Sequence, residues 1–477
     1  MLISIDGTSL TCANVADAAS GRATVRVDPA GFERAAAAAA LARRLAAQHP
    51  VYGRTTGVGA NRSQAVPGTD AGTHGLRLLR SHAGGGGPLI EDTLGRAMLV
   101  VRANQIAAGG SGVDPGVLAA LAECVNRGLW PPAPVYGAIG TGDLTALAVT
   151  ALCLLGERDW LPGEAAPPRF ALDPKDALAF ISSNAATLGE AAVACADLTG
   201  LLAASTVIAA LSHVSVGGSA EPYARPVQQA RPHPGQDEVA GRLRELLAGR
   251  PAGSARIQDP YGYRALPQVH GAALDAVAHA EAVVTTEINA AAENPLVDVA
   301  GQAIWHNGNF HTAYVGLGLD AARAALFQTA TLSAARLATL MEPEFTGLNP
   351  FQATDPPPSS GLMILEYVSH SAVADIRRLA APAALGSAVL SLGVEEHAGF
   401  ATQAARSATG AVAAYRVVLA CELVAAVRAL RLRDSALEPG PLCDAFDRAA
   451  AVLPASTADR PLDEDLALAQ QLLPEFC

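Results

Sequence analysis

Residues 175–211 read KDALAFISSNAATLGEAAVACADLTGLLAASTVIAAL, and this stretch sets the fold class. Ala and Leu, the strongest helix formers, dominate it, and its apolar positions recur with helical rather than twofold spacing. The pattern predicts a helix well beyond the usual length of about 10–14 residues. Residues 269–292, 311–341 and 361–393 carry the same pattern. Long helices of this kind, lined with small side chains that allow close approach, pack side by side in an extended bundle. The expectation is therefore an all-α protein. Shorter helices are expected upstream at 32–48, 91–108, 114–127 and 143–156, with Asp114 and Asp143 as N-caps and Gly109 and Gly128 as stops.

Half of the 477 residues are hydrophobic, which supports a large core and excludes wholesale disorder. The chain carries 33 Lys and Arg against 45 Asp and Glu, a net charge of −12. It lacks the cation excess that coats nucleic-acid phosphates. Lys175 is the only lysine, which removes Schiff-base and P-loop chemistry, since both need an amine. The run Gly84-Gly85-Gly86-Gly87 is followed by Pro88 and reads as a close-packed turn rather than a phosphate loop. The cysteines (Cys12, Cys124, Cys153, Cys195, Cys421, Cys443 and Cys477) are scattered and odd in number, so neither a disulfide framework nor a zinc site is expected. The opening MLISIDGTSLT lacks a signal-peptide pattern, and no uninterrupted apolar run reaches the roughly 18 residues of a membrane span. A cytoplasmic protein without nucleic-acid or membrane partners is the expectation.

Pro- and Gly-rich connections at 130–141, 160–174, 223–236, 258–268 and 355–360 separate the helices, and loops on a rigid scaffold carry most sites. Polar clusters stand out: Tyr52-Gly53-Arg54-Thr55-Thr56-Gly57-Val58-Gly59, Gln258-Asp259-Pro260-Tyr261-Gly262-Tyr263-Arg264, Asn307-Gly308-Asn309-Phe310-His311 and Glu395-Glu396-His397. Each alone is also what a turn, a cap or a satisfied buried polar group looks like. Together they suggest a pocket of tyrosines, an arginine and a carboxylate. A tyrosine serves as general base only where cations or dipoles lower its pKa. Neither His306 with His311 nor Glu396 with His397 has the spacing of a helical zinc site, and no metal is expected.

In this order the segments resemble the histidine and phenylalanine ammonia-lyases and their aminomutase relatives, nearly end to end. Tyr52–Gly59 is similar to the family's Y-G-x-x-T-G-F-G, and LRSHAGG at 79–85 (Leu79, Ser81, His82, Ala83, Gly85) to its L-x-S-H-A-x-G. Arg102-Ala103-Asn104 with Ser111-Gly112 resembles R-A-N-x-L-x-x-G-x-S-G. ARPHPGQ (230–236), QDPYGYRALPQVHG (258–271) and EINAAAENPL (287–296) are close to family sequence throughout. The resemblance implies an all-α fold with a long central bundle, a loop-rich active-site region over 1–210, and bundle plus C-terminal helices over 211–477 in one continuous body. It implies a homotetramer with composite sites, and an ammonia-lyase or aminomutase acting on an aromatic or histidine-like α-amino acid. Ser81-His82 and Glu395 look like the histidine branch. By the same resemblance Tyr52 is the base, Tyr261 and Glu395 lie near the amine, and Arg264 pairs with the carboxylate. His82, Ser182, Asn184, Asn309 and Phe310 fall to substrate binding. No diffusible cofactor is implied. The family instead makes an electrophile, MIO, from its own Ala-Ser-Gly.

That triad is where the chain departs. The family's G-S-V-G-A-S-G-D-L-A-P-L corresponds to Gly137-Ala138-Ile139-Gly140-Thr141-Gly142-Asp143-Leu144-Thr145-Ala146-Leu147, one residue short. The triad position is held by Gly140-Thr141-Gly142, and a threonine-derived group would carry an extra methyl on the attacked carbon. An uncyclised loop is the expectation, with a MIO-type group from the same three residues as the alternative. Ile181-Ser182-Ser183-Asn184 stands where the family has L-N-G-T, so the substrate-binding asparagine is replaced by Ser182 or displaced to Asn184. Val58, Arg54 and Trp305-His306 are further departures. Several departures around one site point to altered function rather than a broken fold. The alternatives to an ammonia-lyase are a MIO-less enzyme of different chemistry on an amino-acid-like substrate, and a silent binding homologue.

Overall fold

Asp28-Pro29 starts the first long helix. The Asp28 carboxylate accepts from the Ala30 N–H, Pro29 takes the first helical position, and Arg43 and Arg44 close the last turn of Pro29–Ala46. Thr11 and Asp173 cap Cys12–Ala19 and Pro174–Asp176 in the same way, whereas packing rather than capping builds most of the chain. In the computed structural model it is described throughout except for residues 71, 164–165, 250–253, 255, 434–436 and 477. Helices dominate, joined by three two-stranded sheets among the described residues. The all-α expectation holds.

Two compact units form. One comprises Met1–Ala196, Ala280–Leu319 and Pro382–Thr409, the other Asp197–His279, Asp320–Ala381 and Gly410–Cys477. The longest helices, Ala185–Ser215, Leu266–Ile288, Ala313–Met341 and Ala401–Leu432, each contain a unit boundary.

In the first unit the helix Asp92–Ala107 is buried continuously from Ala97 onward. Arg102, fully buried, pairs with Glu293 at 2.9 Å and donates to the carbonyls of Phe180 and Ala179. Asn104 donates to the Ile288 carbonyl and accepts from the Gly7 N–H. The Arg-Ala-Asn and Glu-Asn-Pro-Leu segments thus meet in a buried network that leaves Glu293 Oε2 without a hydrogen-bond partner.

In the second unit Glu422, fully buried, receives the Arg336 guanidinium through both oxygens at 2.6 and 2.8 Å. The hydroxyls of Ser212 and Ser333 donate to it as well. Tyr415 and Ser205 bond to each other at 2.9 Å. These polar contacts lock the helices of the bundle in register where alanines alone would let them slide.

Several boundaries differ from expectation. The stretch 175–211 is not one helix: Ala177–Ile181 ends, residues 182–184 turn, and Ala185–Ser215 begins. Ser183 Oγ accepts from the Ala185 N–H, an example of side chains competing with the helical ladder. The helix expected over 361–393 spans only Ile364–Leu379, stopping ahead of Pro382, which cannot continue it. Ala401–Leu432 was not expected, because Arg406, Arg416, Glu422 and Arg428 interrupt its apolar pattern. Asp114 lies before Val117–Asn126 but Gly116 holds the cap, and Asp143 caps no helix with its side chain. Gly86–Leu89 is a strand against Pro134–Tyr136, not a turn, with Gly87 packed on the Tyr136 ring. Gly109 and Gly128 stop their helices at φ of +95 and +69.

The stretches Pro174–Ser215 and Ala401–Leu432 are long and apolar enough to cross a membrane by length and composition, but 67% and 72% of their apolar windows are buried in the protein. Cys477 lies outside the described residues; the other cysteines are free thiols.

Candidate active site

The tyrosine loop is held from below. Val51 N–H bonds to Thr55 Oγ1 and Gly53 N–H to Thr56 Oγ1. Gly53 has φ of +71, and a Cβ there would sit 1.9 Å from Leu178 Cδ2, so only glycine fits. Arg54 points away from the cavity: it pairs with buried Asp176 at 2.8 Å and donates to the Gly112 carbonyl at 2.6 Å. The charge that looked anomalous in sequence is an anchor. The loop then returns so that the Gly59 N–H donates to Tyr52 Oη at 2.8 Å.

A second loop is fastened along its length. The Ala138 carbonyl accepts from Gln403, the Ile139 carbonyl from the Phe400 N–H, and the Gly140 carbonyl from the Thr312 hydroxyl at 2.8 Å. The Gly142 N–H donates to Asn184 Oδ1 at 2.8 Å, and the Asp143 N–H to the Ser183 carbonyl at 2.7 Å. Asn184, 3% exposed, also donates to the Phe310 carbonyl at 2.6 Å. Asp143 accepts from Thr187 through its N–H and hydroxyl, and burial pushes its carboxyl up to about 6 against those bonds.

A third loop brings Glu395. Residues 390 and 395 bridge each other, and Ser391 and Leu392 take φ of +52 and +56 to make the reversal. Ser391 Oγ accepts the Ala60 N–H at 3.0 Å, which seats this loop on the tyrosine loop.

These loops enclose a cavity of about 800 Å³ lined by Tyr52, His82, Thr141, Gly142, Ser182, Phe310 and Glu395 among others. His82 Nδ1 lies 2.9 Å from the Leu78 carbonyl, which can only accept. Nδ1 therefore donates to it, and in the neutral ring Nε2 is left as the acceptor. Burial pushes the Tyr52 phenol above its usual value; the Gly59 N–H opposes the rise, Glu395 adds to it and Arg62 opposes it.

Of the remaining candidates, Gly140 and Asn184 lie behind the lining, Asn184 as a support. Asn309 is exposed and absent from the lining. Tyr261 and Arg264 belong to the second unit. There Tyr261 is 69% exposed, the Arg264 guanidinium stacks 4.6 Å from its ring, and both line a cavity of about 530 Å³ with Asp259 and Gln268. Sequence reasoning missed Asn61, Arg62, Asn294 and Ser391 as lining residues. Asn61 and Ser391 sit in single 3-10 turns and Arg62 and Asn294 in irregular chain, where no periodicity marks which side chain faces inward. His306, read from sequence as a departure from the family pattern and weighed as a metal ligand, lines the cavity and stands edge-on to Tyr52 with ring centroids 6.5 Å apart. Among the described residues no three His, Cys, Asp or Glu side chains gather as a metal site.

The sequence profile described as aromatic amino acid lyase matches residues 10–451. The chain belongs to the aromatic amino acid lyase family. Histidine ammonia-lyase of Anaeromyxobacter dehalogenans is 34% identical over 99% of this chain and 98% of its own length. The fold matches tyrosine aminomutase from Streptomyces globisporus with a TM-score of 0.93 at 27% identity, over 100% of this chain and 97% of that one. It also matches Ergothionase, an ergothioneine degrading enzyme from Treponema denticola, with a TM-score of 0.90 at 25% identity, over 100% and 99%.

For this lyase the family's electrophile can be tested against the residues present. Its first member is alanine, but Gly140 has φ of +87, and a Cβ there would fall 2.7 Å from the Ala401 nitrogen and 3.1 Å from the Phe400 nitrogen. Ring closure would need the Gly142 nitrogen on the Gly140 carbonyl carbon. Each of those groups is held by a separate neighbour, Asn184 and Thr312. An alanine-led triad does not fit at Gly140.

Proposed function

We propose that this chain is a carbon–nitrogen lyase acting on a histidine-like α-amino acid, with Gly140-Thr141-Gly142 uncyclised. The observation that carries the reading is that Tyr52, His82, Thr141 and Glu395 all line one cavity. An imidazole ring has an N–H to give to His82 Nε2 and a nitrogen to receive from Arg62. A phenyl ring would leave those polar groups without partners, a mismatch that discriminates strongly. Tyr52 takes the β-proton in its minority phenolate form, since burial raises rather than lowers its pKa; Glu395 faces the departing cationic nitrogen, and the Thr141 hydroxyl donates to bound substrate.

The carboxylate lacks a cation of its own on this wall except Arg62. We assign it to Arg264 of another subunit, with Tyr261 beside it, in a cytoplasmic homotetramer with composite sites. The stacking of Arg264 on an exposed Tyr261 supports this, because it leaves the guanidinium fork pre-organised for a bidentate carboxylate.

The test is turnover by purified protein of histidine-like and phenylalanine-like substrates, followed by the absorbance of the unsaturated acid. Imidazole substrates should react and phenyl substrates should not, and Arg264→Ala should weaken binding by about 1.5–3 kcal/mol. Preference for a phenyl substrate, or a monomer in sedimentation, contradicts the reading.

A further inference from the structure

We infer that His311 and His397 are a positioning pair, which sets the Glu395 carboxylate by bonding its loop to the segment that follows Phe310. Glu395 takes its role from the lyase reading above, on which the inference rests. Neither histidine lines the cavity.

His311 Nε2 and His397 Nδ1 lie 2.9 Å apart. The ring centroids are 5.0 Å apart and the planes are inclined by 30°. With the nitrogens so close and the centroids so far, the rings point their nitrogens at each other rather than stack. One nitrogen donates and the other accepts, which needs at least one neutral ring. Burial, and after it the neighbouring imidazole, hold the His311 pKa below its ordinary value, and this favours the neutral form.

The two ends of the bond belong to different parts of the site. His311 follows Phe310, whose carbonyl accepts from Asn184 at 2.6 Å. It precedes Thr312, whose hydroxyl donates to the Gly140 carbonyl at 2.8 Å. The His311 N–H closes a turn on the Gly308 carbonyl at 3.0 Å. A Cβ at Gly399 would fall 3.3 Å from His311 Cε1, so the ring is packed as well as bonded. This end is fixed.

The other end needs fixing. Glu395 closes the reversal that starts at Leu390, and upstream the loop is seated through Ser391 on the Ala60 N–H. Residues 392–397 are exposed, and burial resumes only at Ala398. Where few apolar contacts are buried, local order is weak, so tethers rather than packing decide where the Glu395 carboxylate stands. His397 supplies the tether on its C-terminal side. Because Glu395 faces a nitrogen that is cationic before it departs, a misplaced carboxylate weakens binding of the ground state. The loss then falls on KM rather than kcat.

The experiment measures kcat and KM for L-histidine with the full-length protein and its variants. His397→Leu should raise KM about tenfold at nearly unchanged kcat, and His311→Leu, which breaks the bond from the other end, should do the same. His397→Asn places an amide donor or acceptor where Nδ1 stands, and should hold KM within about threefold of the unsubstituted protein. In a Glu395→Gln background His397→Leu should cost nothing further, because the group it positions has lost its charge. An unchanged KM in His397→Leu, an Asn variant as poor as the Leu variant, or the full rise in the Glu395→Gln background overturns the inference and leaves the lyase reading standing. No unsaturated acid from L-histidine with the unsubstituted protein overturns both.

Discussion

Asn184 Oδ1 accepts the Gly142 N–H at 2.8 Å while its Nδ2 donates to the Phe310 carbonyl at 2.6 Å. One buried side chain thereby ties the loop bearing Thr141 to the segment bearing Phe310, both of which line the cavity. Asn184→Ala leaves a half-buried N–H and a half-buried carbonyl without their partner, at a cost of at most about 1–3 kcal/mol for each. Chemical denaturation should register the loss, and KM should rise because Phe310 is no longer fixed. A variant with unchanged stability and KM would show that the tie carries nothing.

Tyr52 acts only as phenolate, and burial holds its pKa above the usual value of 10.0. Below that pKa, kcat/KM should climb about tenfold per pH unit on the limb that Tyr52 controls. Arg62 favours the phenolate, so Arg62→Gln should move the limb to higher pH. Tyr52→Phe should lower the rate by roughly 10²–10⁴ and remove the limb. A flat profile between pH 7 and pH 10 assigns the proton to another group.

The alanine- and leucine-rich runs made the helical class legible, and the ordered motifs made the family legible. Breaks were harder to read. Ser182-Ser183-Asn184 ends a helix because its side chains bond to backbone, yet it sits inside an unbroken apolar pattern. Ala401–Leu432 was hidden by the opposite effect: buried charges such as Glu422 resemble a solvated face until their partners are known. At the site, Tyr52, His82 and Glu395 were legible by motif, whereas Arg62 and Asn294 depend on loop geometry that no period encodes. The role of Arg54 was misleading in sequence because its partner, Asp176, lies 122 positions along the chain.

Glu422 accepts from Arg336, Ser212 and Ser333 in the core of the second unit. Removing one partner of a buried ion pair strands the other charge, so Arg336→Met should cost about 3–5 kcal/mol. Arg336→Met combined with Glu422→Leu should recover most of that loss, because the stranded carboxylate is gone. Thermal or denaturant unfolding of the single and double variants checks this, and additive losses in the double variant would refute it.

The central claim is that Gly140-Thr141-Gly142 remains an ordinary peptide and that the chemistry proceeds without an electrophile made from the chain. Intact-mass spectrometry of the purified, active protein tests it most directly. The account predicts the mass of the encoded sequence, allowing for the initiator methionine, in a preparation that turns over substrate. A mass lower by two waters, mapped to the peptide containing Thr141, would contradict it.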